Sequence, residues 1–272
     1  MTDRLMALWA GINPLTLWLV FFVVGGLAAG VMTGFFKARK IQPNGFKWKT
    51  LRFEFFTAMV TLAISAAVLG YINKFIQAQG WIKAAETPAT WWVVALEYVA
   101  SFVLFDTYFY WLHRWMHKEP VYSWVHKLHH RSTSPNLLTT LSVHPFESLI
   151  NGGFSPLFLM AATALTLPIH KETLALMGAT TGFMGPYVHA GYEFLPRWWH
   201  RTWATKWFIT TTFHDQHHRY FNWNFGGYTP VWDYLCGTVR KKYESDFEKI
   251  VDRRSAGRSS PVAETEAAAQ EA

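Results

Sequence analysis

The sequence predicts an all-α integral membrane protein: a helical bundle of about four to five membrane helices forming one continuous unit. Three observations predict it. Of 272 residues, 51% are hydrophobic and only 16% are charged, against about 25% in ordinary soluble chains. Apolar stretches of membrane-spanning length recur along the chain. Fifteen tryptophans and 22 phenylalanines suit a protein with lipid interfaces. The single cysteine, Cys236, excludes an internal disulfide and any multi-cysteine zinc or iron–sulfur site. The net charge of +7 does not indicate nucleic acid, because the basic residues cluster beside apolar stretches, as membrane topology requires.

A membrane helix needs about 20 mostly apolar residues. Leu15–Phe36 meets this. It is longer than a signal-peptide core, follows one basic residue, Arg4, and has no small-residue cleavage site, so it is read as a retained helix. Phe53–Ile76 qualifies, interrupted near its ends by Glu54, Asn73 and Lys74. Trp91–Trp111 qualifies despite Glu97 and Asp106. Ser148–Ile169 and Thr173–Leu195 hold more glycine and proline and are expected as a hairpin or as two crossings. In Pro196–Trp207, Trp199, Trp203 and Trp207 repeat every four residues, which predicts a helix lying in the membrane interface. Residues 1–250 read as a single membrane-embedded domain. Residues 251–272 are polar and small, and are expected to be a disordered tail.

Charge sets the orientation. Lys37, Arg39, Lys40, Lys47, Lys49 and Arg52 make the first loop cytoplasmic. Counting crossings from there brings the end of the third helix, and everything polar after it, back to the cytoplasmic side. Eight of the twelve histidines fall on that side in three short boxes: His113 and His117; His126, His129 and His130; His214, His217 and His218. Residues three and four apart share a helix face, so each box aims its imidazoles at one point. Neutral imidazole suits iron, zinc and copper, and eight are too many for one metal. The boxes therefore predict a cytoplasmic two-metal site. Asp106, seven residues before His113 with Tyr110 between, lies on the same helical face. A carboxylate inside a membrane helix is expensive and usually functional. Asp106 is expected to accept a ligand histidine's second N–H or to ligate directly, the bland alternative being a pair with Arg114.

These motifs resemble the fatty acid hydroxylase and sterol desaturase superfamily of membrane di-iron oxygenases. The likeness rests on the three boxes and on Asp106, Tyr110, Trp111, His113 and Arg114 as D-x-x-x-Y-W-x-H-R. Asn136–Thr140, the H-P-x-E of His144–Glu147, the H-x-G-Y of His189–Tyr192 and Asn224–Thr238 extend it over roughly 92–240. The resemblance implies two non-haem irons, with zinc an occupant after overexpression, and O2 as co-substrate. It implies hydroxylation or desaturation of an unactivated C–H bond in a membrane lipid: sterol, fatty acyl, carotenoid or ether lipid. The implied ligands are the eight box histidines plus His189, with His144 ligating or supporting a ligand, and with Asp106 and Tyr110 as catalytic candidates. Relatives often carry an arginine two residues before the H-P-x-E histidine; this chain has Ser142. Glu147 either caps the next helix or braces a ligand. His170 and His200 match no box and read as structural.

No Rossmann glycine fingerprint, haem-attachment motif or cysteine cluster is present. Electrons must come from a separate ferredoxin or small cytochrome with its reductase, docking on Lys127, Arg131, Arg219, Arg240, Lys241 and Lys242. Two other classes take histidine. A zinc hydrolase or metal transporter is the first, but a transporter needs ligands near mid-membrane and a passage between faces. A cytochrome is the second, but bis-histidine haem needs one facing pair. The tail shows no endoplasmic-reticulum retrieval signal, which leans the expected location towards a bacterial inner membrane.

Overall fold

The computed structural model describes residues 36–42, 47–83, 85 and 88–253. The expected first membrane helix therefore lies outside the described residues except for Phe36, as does 254–272 of the expected tail. The described residues form helices and turns with no strand, and one β-bridge pairs Lys40 with Tyr192.

Among the described residues, two helices are long and apolar enough to cross a membrane: α1, Trp48–Ala78, and α2, Trp91–Met116. Their burial pattern is inverted relative to a soluble helix. The inward face of α1 carries Glu54, Ala58, Thr61 and Ser65, spaced four, three and four residues apart. Its outward face shows Phe56, Val60, Ile64 and Tyr71. Likewise α2 buries Ser101, Asp106, Tyr110 and His113 while exposing Leu96, Val99, Val103 and Trp111. Small and polar residues inside with apolar residues outside is the arrangement that lipid favours.

Two further helices follow, α3 (Val121–Trp124) being a single turn. Helix α4, Pro145–Ala164, and α5, Lys171–Val188, are joined through 165–170. The sequence expectation of a weaker helical pair here is met as two helices. Helix α1 packs on α4. Thr61 Oγ1 donates to Val143 O (2.7 Å), and Ser65 meets Ser148 (2.9 Å). A Cβ on Gly152 would stand 2.6 Å from Leu69 Cδ1, so a larger residue there would require the Leu69 side chain to move. Helix α2 packs on both α4 and α5. At one end of the bundle Glu97 accepts from His170 and Thr173 at the start of α5. Glu97 precedes His113 by sixteen residues, about 24 Å of helix, so His170 sits at the end away from the boxes.

The polar end is capped by α6 (Thr211–Tyr220), α7 (Val231–Cys236) and α8 (Tyr243–Asp252). Val188, Ile209, Phe213, Tyr243, Phe247 and Val251 form a small core beneath them. Helix α8 runs two residues into the stretch assigned to the tail.

Pro196–Trp207 differs from the expected interfacial helix: it is a succession of turns. Thr202 and Thr205 donate their hydroxyls to the carbonyls of Trp198 and Trp199, which competes with a continuous helical ladder. Arg197, His200 and Arg201 are drawn instead onto Glu248 of α8. His200 is thus structural, as is His170.

Candidate metal centre

Helix α6 poses the question that the site answers. Its residues Thr211 to His218 are all buried, and most are polar. A buried polar group is expensive unless its hydrogen-bonding capacity is met. Thr210 caps the helix by accepting from Phe213 N (3.1 Å), and Glu193 accepts from Thr212 N (2.9 Å) and Oγ1 (2.7 Å). Thr211 donates to Tyr187 O (3.1 Å), Gln42 donates to Asp215 (2.8 Å) and Gln216 donates to Asp246 (3.2 Å), which leaves His214, His217 and His218.

These three join six other histidines in two compact groups. One holds His113, His117, His126, His130 and His217; the other holds His129, His189, His214 and His218. In the first, Nε2 atoms lie 3.0 Å apart for His113 and His126, and 3.1 Å for His126 and His130. His130 and His117 are 3.1 Å apart, and His117 and His217 3.2 Å. In the second, His189 Nε2 is 3.0 Å from His214 Nε2 and 3.4 Å from His129 Nε2.

Each H-x-x-H-H box is split between the groups. His217 enters the first, while His214 and His218, one helical turn apart, enter the second. The His126–His130 box is not α-helical. It lies in a 3₁₀ helix, His126–Arg131. It nonetheless divides as the α6 box does: His126 and His130, four apart, reach one group and His129 the other.

The outer nitrogens are pinned. Nδ1 of His113 meets Phe225 O (2.8 Å), and Nδ1 of His217 meets Trp223 O (2.7 Å). Nδ1 of His189 meets Gly185 O (2.8 Å), and Nδ1 of His218 meets Ser132 O (3.0 Å). A carbonyl only accepts, so each Nδ1 carries the proton and each Nε2 turns a lone pair inward. His218 Nε2 is buried without a protein partner. Burial pushes His126, His129, His130, His214, His217 and His218 well below the ordinary imidazole range, with neighbouring histidines adding to the effect. Burial likewise lowers His117 and brings His189 down to about 4. The imidazoles are neutral, the form that binds metal. At a metal–nitrogen distance of about 2.0–2.1 Å, ligands at right angles to tetrahedral stand about 2.9–3.4 Å apart. The nitrogen spacings above fall in that range. Converging neutral lone pairs, buried, at coordination spacing, with no thiolate among them, fit two nitrogen-ligated transition-metal ions.

The other expected site residues lie differently. His144 belongs to neither group; its Nδ1 accepts from Phe146 N (3.2 Å), capping α4. Glu147 braces a histidine: its Oε2 is 2.9 Å from His126 Nδ1. Asp106 accepts from Tyr228 N (3.1 Å), Thr229 N (3.0 Å) and the Thr229 hydroxyl. It thereby anchors the loop whose Phe225 carbonyl holds His113, rather than holding a histidine itself. The geometric reason is that Asp106 sits two turns before His113, level with the returning loop. Tyr110, fully buried, bonds Thr238 (3.0 Å) and Arg114 (3.2 Å). Two carboxylates escaped the sequence reading as site residues. Asp233 accepts from Phe225 N (2.8 Å) and Gly226 N (2.7 Å) of the same loop. Glu54, inside α1, accepts from Ser132, Asn136 and Thr139. An acid within an apolar span was the available signal for Glu54, the same one that singled out Asp106.

Fold and site define a helical protein with two helices long and apolar enough to cross a membrane and, at one end of the bundle, two histidine groups that fit metal ions. The fatty acid hydroxylase family model matches residues 98–238. A methylsterol monooxygenase of Aspergillus fumigatus is 34% identical over 56% of this chain and 51% of its own length. A second from that organism is 28% identical over 75% of this chain and 69% of its own. A Delta(7)-sterol 5(6)-desaturase of Saccharomyces cerevisiae is 29% identical over 56% of this chain and 38% of its own. The chain thus spans about half the length of the first of these relatives. No solved structure matches it. The chain belongs to the fatty acid hydroxylase family. These three relatives are eukaryotic, and they lend no support to a bacterial inner membrane.

Proposed function

We propose that this chain is an O2-dependent di-iron oxidoreductase that hydroxylates or desaturates an unactivated C–H bond of a membrane lipid. The observation that carries the reading is the convergence of nine histidines into two adjacent groups at one end of a membrane bundle. His113, His117, His126, His130 and His217 would hold one iron, and His129, His189, His214 and His218 the other. Bound there, the irons supply the redox chemistry with O2 that attacks an inert C–H bond. The chain's own residues keep the imidazoles neutral, orient them through their Nδ1 partners and exclude water by burial. The count of about four to five membrane helices and the cytoplasmic placement of the site belong to this same reading, as does a lipid of the sterol class, which the names of the relatives favour.

A cavity of about 400 Å³ between α2 and α5 supports lipid access. Phe102, Leu176, Phe183, Met184 and Tyr228 line it, with Tyr98 and Thr180 as its polar groups. Met184 precedes His189 by five residues, about 7.5 Å of helix, so the cavity opens roughly a turn and a half below the ligands. It would take the apolar body of the substrate from the bilayer side. Electrons would come from a separate ferredoxin or small cytochrome. Lys127, Lys241 and Lys242 are exposed, whereas Arg240 is buried, paired with Asp246 (2.7 Å), and so drops out of the expected docking face. Arg131 lies over the Phe53 ring at 3.9 Å.

The test is turnover of a sterol, with a chemical reductant, by iron-loaded protein in detergent. The expected product is heavier by one oxygen or lighter by two hydrogens, formed only with O2. Lipid conversion that proceeds equally without O2, or a zinc form that hydrolyses an ester, would overturn the reading.

A further inference from the structure

We propose that Glu54 is a positioning residue for one metal only, the ion of the four-histidine group; the inference rests on the two-metal reading above. Glu54 lies on α1, outside the stretch that carries every histidine box, and is fully buried. Its carboxylate collects three donors from one segment: the Ser132 hydroxyl, Asn136 Nδ2 (2.6 Å) and Thr139 Oγ1 (3.2 Å). The neighbouring residue repeats the attachment, since Phe53 receives Arg131 on its ring face. Successive residues of α1 therefore grip successive residues at the end of the second box.

What Ser132 does next makes the contact specific. Its amide donates to His129 O (3.2 Å), closing the 3₁₀ turn, and its carbonyl accepts His218 Nδ1 (3.0 Å). His129 and His218 both belong to the four-histidine group. The relay is thus Glu54 to the Ser132 hydroxyl, and Ser132 backbone to His129 and His218. The Nδ1 partners seen for the five-histidine group are Phe225 O, Trp223 O and Glu147, and Glu54 makes hydrogen bonds to none of these residues. The outer contacts of a ligand histidine set its orientation and basicity. Loosening Ser132 should therefore weaken one ion and spare the other.

Glu54→Gln keeps the volume and places an NH2 among three donors. Detergent-purified protein is loaded with zinc and titrated with a competing chelator, which resolves two binding steps. The expected result is one ion weakened by roughly 10–100-fold, the other unchanged, with the soluble yield and melting of the metal-free protein retained. Ser132→Ala, which removes the hydroxyl but keeps the carbonyl, should reproduce the selective loss in milder form and serves if Glu54→Gln does not fold. In a His218→Ala background, which lacks the second ion, Glu54→Gln should have no further effect on the first. Two ions held as in the parent, or both weakened equally in folded protein, would overturn the role of Glu54 while leaving the two-metal reading intact. A parent that binds one ion would overturn that reading itself, and the selective role with it.

Discussion

The five-histidine group and the four-histidine group use the same chemistry at the inward nitrogen but are supported unequally from outside. Behind the first stand three carboxylates. Glu147 faces His126 directly, and Asp106 and Asp233 together hold the 225–229 loop that receives His113. Behind the second stands one carboxylate of its own, Glu54, acting through Ser132, while His189 leans on Gly185 of its own helix and Glu193 holds the start of α6, which carries ligands of both groups. Among the described residues, His214 has no hydrogen-bond partner at Nδ1, and neither has His130 of the first group. The first group is therefore redundantly braced and the second depends on a single relay. Redundancy predicts tolerance: one support lost from the first group leaves two, and one lost from the second leaves none of its kind.

Removing ligands gives the largest effect and checks the partition itself. His217→Ala should remove one ion and His218→Ala the other, each abolishing turnover. Elemental analysis of the two variants should find one ion in each; loss of both ions from either would mean that the groups are a single cooperative site.

Asp106→Asn comes next. It should weaken only the ion of the five-histidine group, by roughly tenfold, at the low end of what outer contacts contribute, because Asp233 still holds the loop. Chelator competition reads this, and an unchanged pair of affinities would remove Asp106 from the support of His113.

Much of this was legible in the sequence. The boxes announce themselves, and the apolar stretches place α1, α2 and the α4–α5 pair. The partition was not, because box spacing alone suggests one face per box, whereas the packed fold sends the i and i+4 histidines of each H-x-x-H-H box to one group and the i+3 histidine to the other. Asp106 stood out as a carboxylate in an apolar span, but helix periodicity shows only its own face and not the loop that returns from 225–229. Glu54 and Ser132 lie 78 residues apart, beyond any local pattern. Pro196–Trp207 carries a four-residue tryptophan repeat, yet its threonines and the distant Glu248 win over helical propensity. Arg240 read as a surface charge because sequence does not reveal its partner Asp246.

Acid sharpens the comparison more gently. In metal-free protein, burial holds eight histidines from His117 onward low, with His189 at about 4. The unfolded chain takes up these protons near pH 6.5 and the folded chain only at lower pH. Stability therefore rises with pH across this window, and acidifying from pH 7 to 5 should lower the melting temperature. Asp215 and Asp233 are pushed up to about 7 by burial. With Glu193, which burial also raises, they act oppositely, contributing stability at low pH that is lost as pH rises through their folded values, but they are fewer than the histidines. A melting temperature that rises on acidification would contradict the neutral, buried histidines.

The smallest effect concerns the exposed face. Lys241→Glu with Lys242→Glu should slow turnover driven by an acidic protein donor a few-fold at low salt, converge with the parent at high salt and leave metal content unchanged. Salt-independent rates in both proteins would place docking elsewhere.

The central claim is that nine histidines divide between two ions. The most direct measurement is the metal-to-protein ratio of the purified chain loaded anaerobically with ferrous iron, by elemental analysis against quantitative amino-acid analysis. Two iron ions per chain is the predicted result. One ion or fewer in fully loaded, active protein would contradict it.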